Sequence, residues 1–150
     1  MNMNIIELHS ITDSQASDLL VLMKELGPDL TVTAEMLQNT IESPNTHLFA
    51  AMDDDGRIIG CATLCVFESP TGRKASVEDV VVLSSCRGQH LGKSLMEHLI
   101  SYACSELKDV DLHLTSHPTR VAANKLYQSL GFELRGTNFY RMKIRDAQKV

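Results

Sequence analysis

The chain has 150 residues, 43% of them hydrophobic and 22% charged, with no Trp and a net charge of −5. Such a length predicts one domain, residues 1–150, that buries roughly 68–70% of its unfolded surface and holds a core with a ligand cleft. No apolar run approaches the ~20 residues of a membrane span, and no basic cluster interleaved with aromatics offers a nucleic-acid surface.

MNMNIIELHS carries neither the basic region nor the apolar stretch of a secretory signal. The expectation is a cytoplasmic protein with no membrane and no nucleic-acid partner. Residues 4–9, NIIELH, alternate enough for a first strand. Thr12 caps a helix in which Leu19, Leu22, Met23 and Leu26 recur at helical spacing, and Gly27-Pro28 ends it. A second, short helix is predicted over 33–41, with Pro44 after it. HLFAAM, a DDDG turn and RIIGCATLCVFE read as a hairpin with Asp55-Gly56 near its tip. Residues 69–73, with Pro70 and Gly72, read as a loop. SVEDVVVL, residues 76–83, is a fourth strand. Its β-branched end predicts burial on both faces, as at the centre of a sheet.

The chain then enters a helix near Gln89, with Leu91, Leu95, Leu99 and Ala103 on one face, joined by Met96 and Ile100. VDLHLT, residues 110–115, is a fifth strand, and the crossover through that helix predicts a βαβ unit with strand four. Pro118 opens a further helix to Leu130, which Gly131 closes. FEL and NFYRMKI complete the sheet. The order βααβββαβαββ predicts an α/β fold with a mixed sheet of about seven strands and about four helices.

The four cysteines, Cys61, Cys65, Cys86 and Cys104, form no C-x-x-C pair and read as reduced. The histidines show no ligand spacing, so no metal is expected. Charge is uneven. Residues 1–70 carry 2 basic and 11 acidic side chains, and residues 71–150 carry 12 and 8, or −9 and +4. An anionic ligand would meet its positive field in the second half.

That half holds RGQHLGKSL, at a strand-to-helix junction. The nucleotide-triphosphate loop G-x-x-x-x-G-K-S/T needs a glycine five residues before Gly92, and Arg87 stands there. Gly88 is one residue too close, so a triphosphate loop is disfavoured. What remains is an anion site. Helix starts offer unpaired N–H groups and about half a positive charge. Gly88 and Gly92 allow close approach, and Arg87 and Lys93 add charge. A pyrophosphate suits this arrangement.

Arg87-Gly88-Gln89-His90-Leu91-Gly92 resembles the acetyl-CoA signature Q/R-x-x-G-x-G/A of the GNAT N-acetyltransferases, with His90 in place of the middle glycine. Ala123, Tyr127, Gly131 and Phe132 resemble the family's late helix, A-x-x-x-Y-x-x-x-G-F. The order of elements agrees over nearly the whole chain. The resemblance implies the GNAT fold, with strands four and five splayed for acetyl-CoA. It implies acetyl transfer to a primary amine of a small molecule by direct attack, acetyl-CoA being the co-substrate and no metal being needed. It places the pantetheine arm along Val80, Val81 and Val82, and the pyrophosphate on the backbone of Arg87, Gly88, Gln89, His90, Leu91 and Gly92. Lys93 stands beside them, and Asn124 would hydrogen-bond the cofactor's amide arm.

By the same resemblance Tyr127 is the general acid and Glu78 the carboxylate that draws the amine proton. Packing beside Leu126 and Leu130 is the competing role for Tyr127, and pairing with Arg73 or Lys74 the competing role for Glu78. A protein or peptide acceptor, and a non-catalytic acyl-CoA-binding module, are the alternatives. The acidic first half suits a cationic acceptor. Homodimers are frequent in the family.

Overall fold

The computed structural model of the chain describes residues 3–147. Its strands form one mixed sheet in the order β1-β2-β3-β4-β5. Strands β1 (Asn4–Glu7), β2 (Thr46–Met52), β3 (Ile58–Ser69) and β4 (Gly72–Val82) are antiparallel, and β5 (Asp111–His113) runs parallel to β4. The helices are α1 (Asp13–Leu26), α2 (Ala34–Glu42), α3 (Leu91–Tyr102), α4 (Val121–Ser129) and α5 (Ile144–Ala147). None is long and apolar enough to cross a membrane among the described residues. They fall into two compact units that divide between Thr115 and Ser116. The first contains the sheet with α1, α2 and α3. The second contains α4 and α5.

In the first unit both faces of the sheet are covered. Leu19, Leu22 and Met23 of α1, with Leu37 and Ile41 of α2, pack on Leu48, Ala50, Ile58, Cys61 and Val81. Phe49, one residue out of phase with Leu48 and Ala50, stacks edge-on with His98 and Tyr102 of α3. Leu95, Met96 and Leu99 of that helix are fully buried. The periodicity predicted from the sequence is therefore what packs.

Local chemistry explains the boundaries. Thr12 closes a capping box on α1: its hydroxyl accepts from Gln15 N–H (3.1 Å), and Gln15 Oε1 accepts from Thr12 N–H (3.0 Å). Asp53 Oδ1 accepts from the N–H groups of Asp55 and Arg57, both at 2.9 Å, and folds the turn between β2 and β3. Asp18 joins α1 to this hairpin. Its buried carboxylate accepts from Arg57 Nη2 (2.6 Å), Arg57 Nε (3.0 Å) and the Ile58 N–H (3.1 Å).

Three expectations need correction. The described residues hold five strands and five helices, rather than about seven and about four. FEL and NFYRMKI form no strand, and Leu134, Phe139, Tyr140 and Met142 stand exposed. Alternation shows which face a strand would present. It does not supply a neighbour to take up the backbone groups. The stretch read as a loop at 69–73 is a tight hairpin, because Gly72 at φ 121° lets β4 begin at once. The end of β4 is not buried on both faces: Val81 is buried, while Val80 and Val82 are half-buried.

Candidate active site

Strand β4 has two unlike flanks. Strand β5 meets it only through the pairs Lys74–Asp111, Ala75–Leu112 and Ser76–His113. Among the described residues, 77–82 therefore have β3 on one side and no strand on the other. The ladder decides which backbone groups point to that open side. Leu83 N–H donates to Ile59 O (2.8 Å), so antiparallel alternation turns the N–H and C=O of Val82 away from β3. Arg87 Nε donates to that carbonyl at 3.4 Å.

The register against β3 shifts between Cys61–Val81 and Thr63–Glu78, so Asp79 and Val80 oppose the single residue Ala62. This is a β-bulge, and Asp79 adopts φ 52° within it. The bulge changes which way Glu78 points. Directly opposed residues share a face, so Glu78 lies with Thr63, and Val81 with Cys61. Thr63 and Cys61, two apart on one strand, also share a face. Glu78 and Val81 therefore both stand on the side where α1 and α2 pack. Unbroken alternation would have put them on opposite faces.

Glu78 is exposed, and Ser76 Oγ donates to its Oε1 at 2.6 Å. Arg73 pairs with Glu68, and Lys74 donates to the hydroxyls of Ser69 and Thr71, so neither cation holds Glu78. The carboxyl of Asp79 is raised above the usual carboxylate range, first by burial and then by the charge of Glu78, although much of the residue faces solvent. Beside the bulge, burial pushes the Cys61 thiol up to about 12, which leaves it protonated and unreactive.

After β4 a short 3₁₀ turn, Ser84–Cys86, leads into the loop. Arg87 N–H donates to Ser84 O at 3.3 Å. From there the N–H groups of Gly88, Gln89, His90, Leu91, Gly92 and Lys93 make no hydrogen bond of ordinary geometry among the described residues. The next bond in the chain runs from Ser94 N–H to His90 O (3.0 Å). Six consecutive free N–H groups at the start of a 12-residue helix are donors from which an anion can accept. Gly88 at φ 81° and His90 at φ 60°, ψ 22° shape the run, and both lie in the left-handed region. The two cations nearby have partners of their own: Arg87 Nη2 lies 3.3 Å from Glu25, and Lys93 Nζ 3.8 Å from Glu97.

Asn124 and Tyr127 belong to the second unit, one turn apart on α4. Asn124 Nδ2 donates to His117 O at 3.1 Å. Tyr127 is buried, and burial raises its phenol above the usual value, so the group keeps its proton at neutral pH. The helix ends in a Schellman motif. Phe132 N–H donates to Tyr127 O (3.0 Å) and Gly131 N–H to Gln128 O (3.1 Å), with Gly131 at φ 99°. The rings of Tyr127 and Phe132, 6.2 Å apart and edge-on, supply the apolar contact that accompanies this cap. The Y-x-x-x-G-F pattern thus has a structural use of its own.

Two parts of the site escaped the sequence reading. The bulge at Asp79 has no compositional signal beyond an acidic pair before three valines. Glu25 bonds Ser84 across 59 positions of sequence, beyond the reach of any local pattern.

The model of the Acetyltransferase (GNAT) family matches residues 9–132. The chain belongs to this family. Solved structures agree in fold. An Agrobacterium tumefaciens putative acetyltransferase is 22% identical, with a TM-score of 0.78 over 95% of this chain and 100% of its own. The aminoglycoside N-acetyltransferase AAC(6')-Iy in complex with CoA is 22% identical, with a TM-score of 0.75 over 95% of each chain. A ribosomal-protein-alanine N-acetyltransferase from Brucella melitensis is 19% identical, with a TM-score of 0.74 over 95% of this chain and 99% of its own.

As a GNAT acetyltransferase the protein is an enzyme, and acetyl-CoA is its acyl donor. Its residues fit that donor: six free N–H groups suit a pyrophosphate, and a strand flank with an open N–H suits an amide-bearing arm.

Proposed function

We propose that this acetyltransferase moves the acetyl group to a primary amine of a small molecule by direct attack within a ternary complex. The observation that carries the reading is the run of six free N–H groups beginning six residues past the half-unpaired strand β4. Arg87, Gly88, Gln89, His90, Leu91 and Gly92 would hold the pyrophosphate, with Lys93 beside them. Val80, Val81 and Val82 would offer their backbone to the pantetheine arm, and Asn124 its side chain to an amide of that arm. The matched region crosses the Thr115–Ser116 boundary, which supports one catalytic domain over residues 1–150.

When bound, acetyl-CoA supplies the acyl carbon and a thiolate leaving group. The chain's own residues do the remaining work. Glu78 takes the proton that the amine loses as its nitrogen bonds the acyl carbon. Val82 N–H, turned away from β3, stabilises the charge growing on the carbonyl oxygen. Tyr127, kept protonated by its burial, gives its proton to the departing sulfur as the carbon–sulfur bond breaks.

The excess of 11 acidic over 2 basic side chains in residues 1–70 favours a cationic acceptor. Likeness to the ribosomal-protein-alanine enzyme keeps a peptide N-terminus as the second reading. The test is thermal stability with acetyl-CoA and with ATP, alongside thiol release with aminoglycosides, polyamines, amino sugars and peptides. Stabilisation by acetyl-CoA alone, with thiol release by a small amine, is expected. Release by peptides only would overturn the small-molecule reading. Stabilisation by ATP and not by acetyl-CoA would overturn the reading of the loop.

A further inference from the structure

Glu25 lies in the last turn of α1, on the opposite side of a long sequence gap from the loop, yet three groups at the root of the loop converge on its carboxylate. Oε2 accepts from Ser84 N–H at 3.1 Å and from Arg87 Nη2 at 3.3 Å, and Oε1 accepts from Ser84 Oγ at 2.8 Å. Arg87 in turn reaches back to Val82 O through Nε. One carboxylate therefore ties α1, the end of β4 and the first residue of the loop into one network. The carboxyl is held below its usual range, chiefly by the Ser84 hydroxyl and also by the Ser84 N–H and the Arg87 charge, so it stays ionised.

A fixed negative charge beside donors for a polyanion calls for an explanation. Two effects oppose each other. Repulsion of a pyrophosphate would weaken binding, but Arg87 neutralises the carboxylate, and salt screens surface charges beyond about 8 Å at physiological ionic strength. Anchoring acts the other way. Free N–H groups bind an anion well only if they already converge, and a loop that must be ordered on binding loses affinity for it. Arg87 lies immediately before the six free N–H groups and Ser84 opens the turn that leads to it, so their tether to α1 sets where that run begins. We infer that Glu25 is a positioning residue for the acetyl-CoA pyrophosphate. It acts through Ser84 and Arg87 and couples the end of α1 to the cofactor loop. The inference rests on the reading of that loop given above.

Calorimetric titration with CoA tests it, using wild type, Glu25→Ala, Glu25→Gln, Ser84→Ala and the double variant Glu25→Ala/Ser84→Ala, each checked by its melting temperature. Expected is a Kd about ten-fold weaker in Glu25→Ala. Glu25→Gln, which still accepts from Ser84, falls between Glu25→Ala and wild type. The double variant is no weaker than Glu25→Ala, because both changes cut one network. With an accepted amine, KM for acetyl-CoA should rise far more than kcat falls. Wild-type affinity in Glu25→Ala, or tighter binding in Glu25→Gln, would overturn the inference and make Glu25 a mere charge mask on Arg87. Wild-type protein that takes up no CoA would instead overturn the reading of the loop, and the assignment of Glu25 with it.

Discussion

His90 stands where the acetyl-CoA signature has glycine, and the structure supplies a physical reason for the difference to matter. The residue occupies φ 60°, ψ 22° at the start of α3, with no side-chain cap bond. A side chain in the left-handed region costs roughly 1–2 kcal/mol relative to the right-handed one, and His is among the residues that tolerate it best. His90→Gly removes that cost but frees the unfolded chain, which takes back about 0.4–1 kcal/mol. The net is a gain between about 0 and 1.5 kcal/mol, or at most ~6 °C in Tm at 2–4 °C per kcal/mol for a chain of this size. His90→Ala keeps the strain and should melt near wild type. His90→Val puts a β-branched side chain there and should lose about 1–3 kcal/mol. Scanning calorimetry of the three variants gives the order Gly, Ala, Val. CoA titration then reads the site itself: the glycine variant should bind CoA at least as tightly as wild type, because the free N–H run is unchanged. Equal melting of the glycine and valine variants would refute the strain argument. Weaker CoA binding by His90→Gly would show that the imidazole itself contacts a phosphate.

Asp18→Ala leaves the buried Ile58 N–H unpaired and removes the partner of Arg57. It should cost roughly 2–4 kcal/mol by chemical denaturation. The Arg57 guanidinium, first among the causes, lowers the Asp18 carboxyl below its usual 3.8, so its contribution is complete above about pH 4 and fades as pH falls through the lowered value. The gap in Tm between wild type and Asp18→Ala should therefore narrow below pH 4, and a constant gap would contradict the assignment. Glu78→Gln should lower kcat/KM by about 10²–10⁴-fold; an undiminished kcat/KM would sink its role as base. The same substitution removes one of the two causes that raise Asp79, whose carboxyl should then titrate lower by NMR. Tyr127→Phe keeps the ring contact with Phe132 and so should keep its Tm, while kcat falls about 10²-fold or more. Full turnover at every pH would leave Tyr127 with its packing role alone.

What could be read from the sequence was whatever depends on neighbours in the chain. A helix start after a β-branched strand, glycines at the loop, and a Gly-Phe helix stop are set by local backbone angles and by bonds spanning a few residues, and each fell close to its expected place. What could not be read depends on long-range pairing. The bulge at Asp79 inserts one residue that alternation does not register, and it moves Glu78 to the face of Val81. The Glu25–Ser84 bond joins elements 59 positions apart. FEL and NFYRMKI have strand-like patterns, but a pattern supplies no partner strand.

The late-helix pattern shows why a legible motif is not yet a mechanism. Gly131 is required by its backbone angle, and Phe132 meets Tyr127 as part of the helix cap. Capping asks only for an apolar ring at position 127, and phenylalanine would serve. The hydroxyl is the one atom of Tyr127 that the cap does not explain, and burial keeps its proton in place at neutral pH. The case for catalysis therefore rests on that oxygen. Stability of Tyr127→Phe reports on the cap, and its turnover reports on the acid, so the two roles of one motif separate in a single variant.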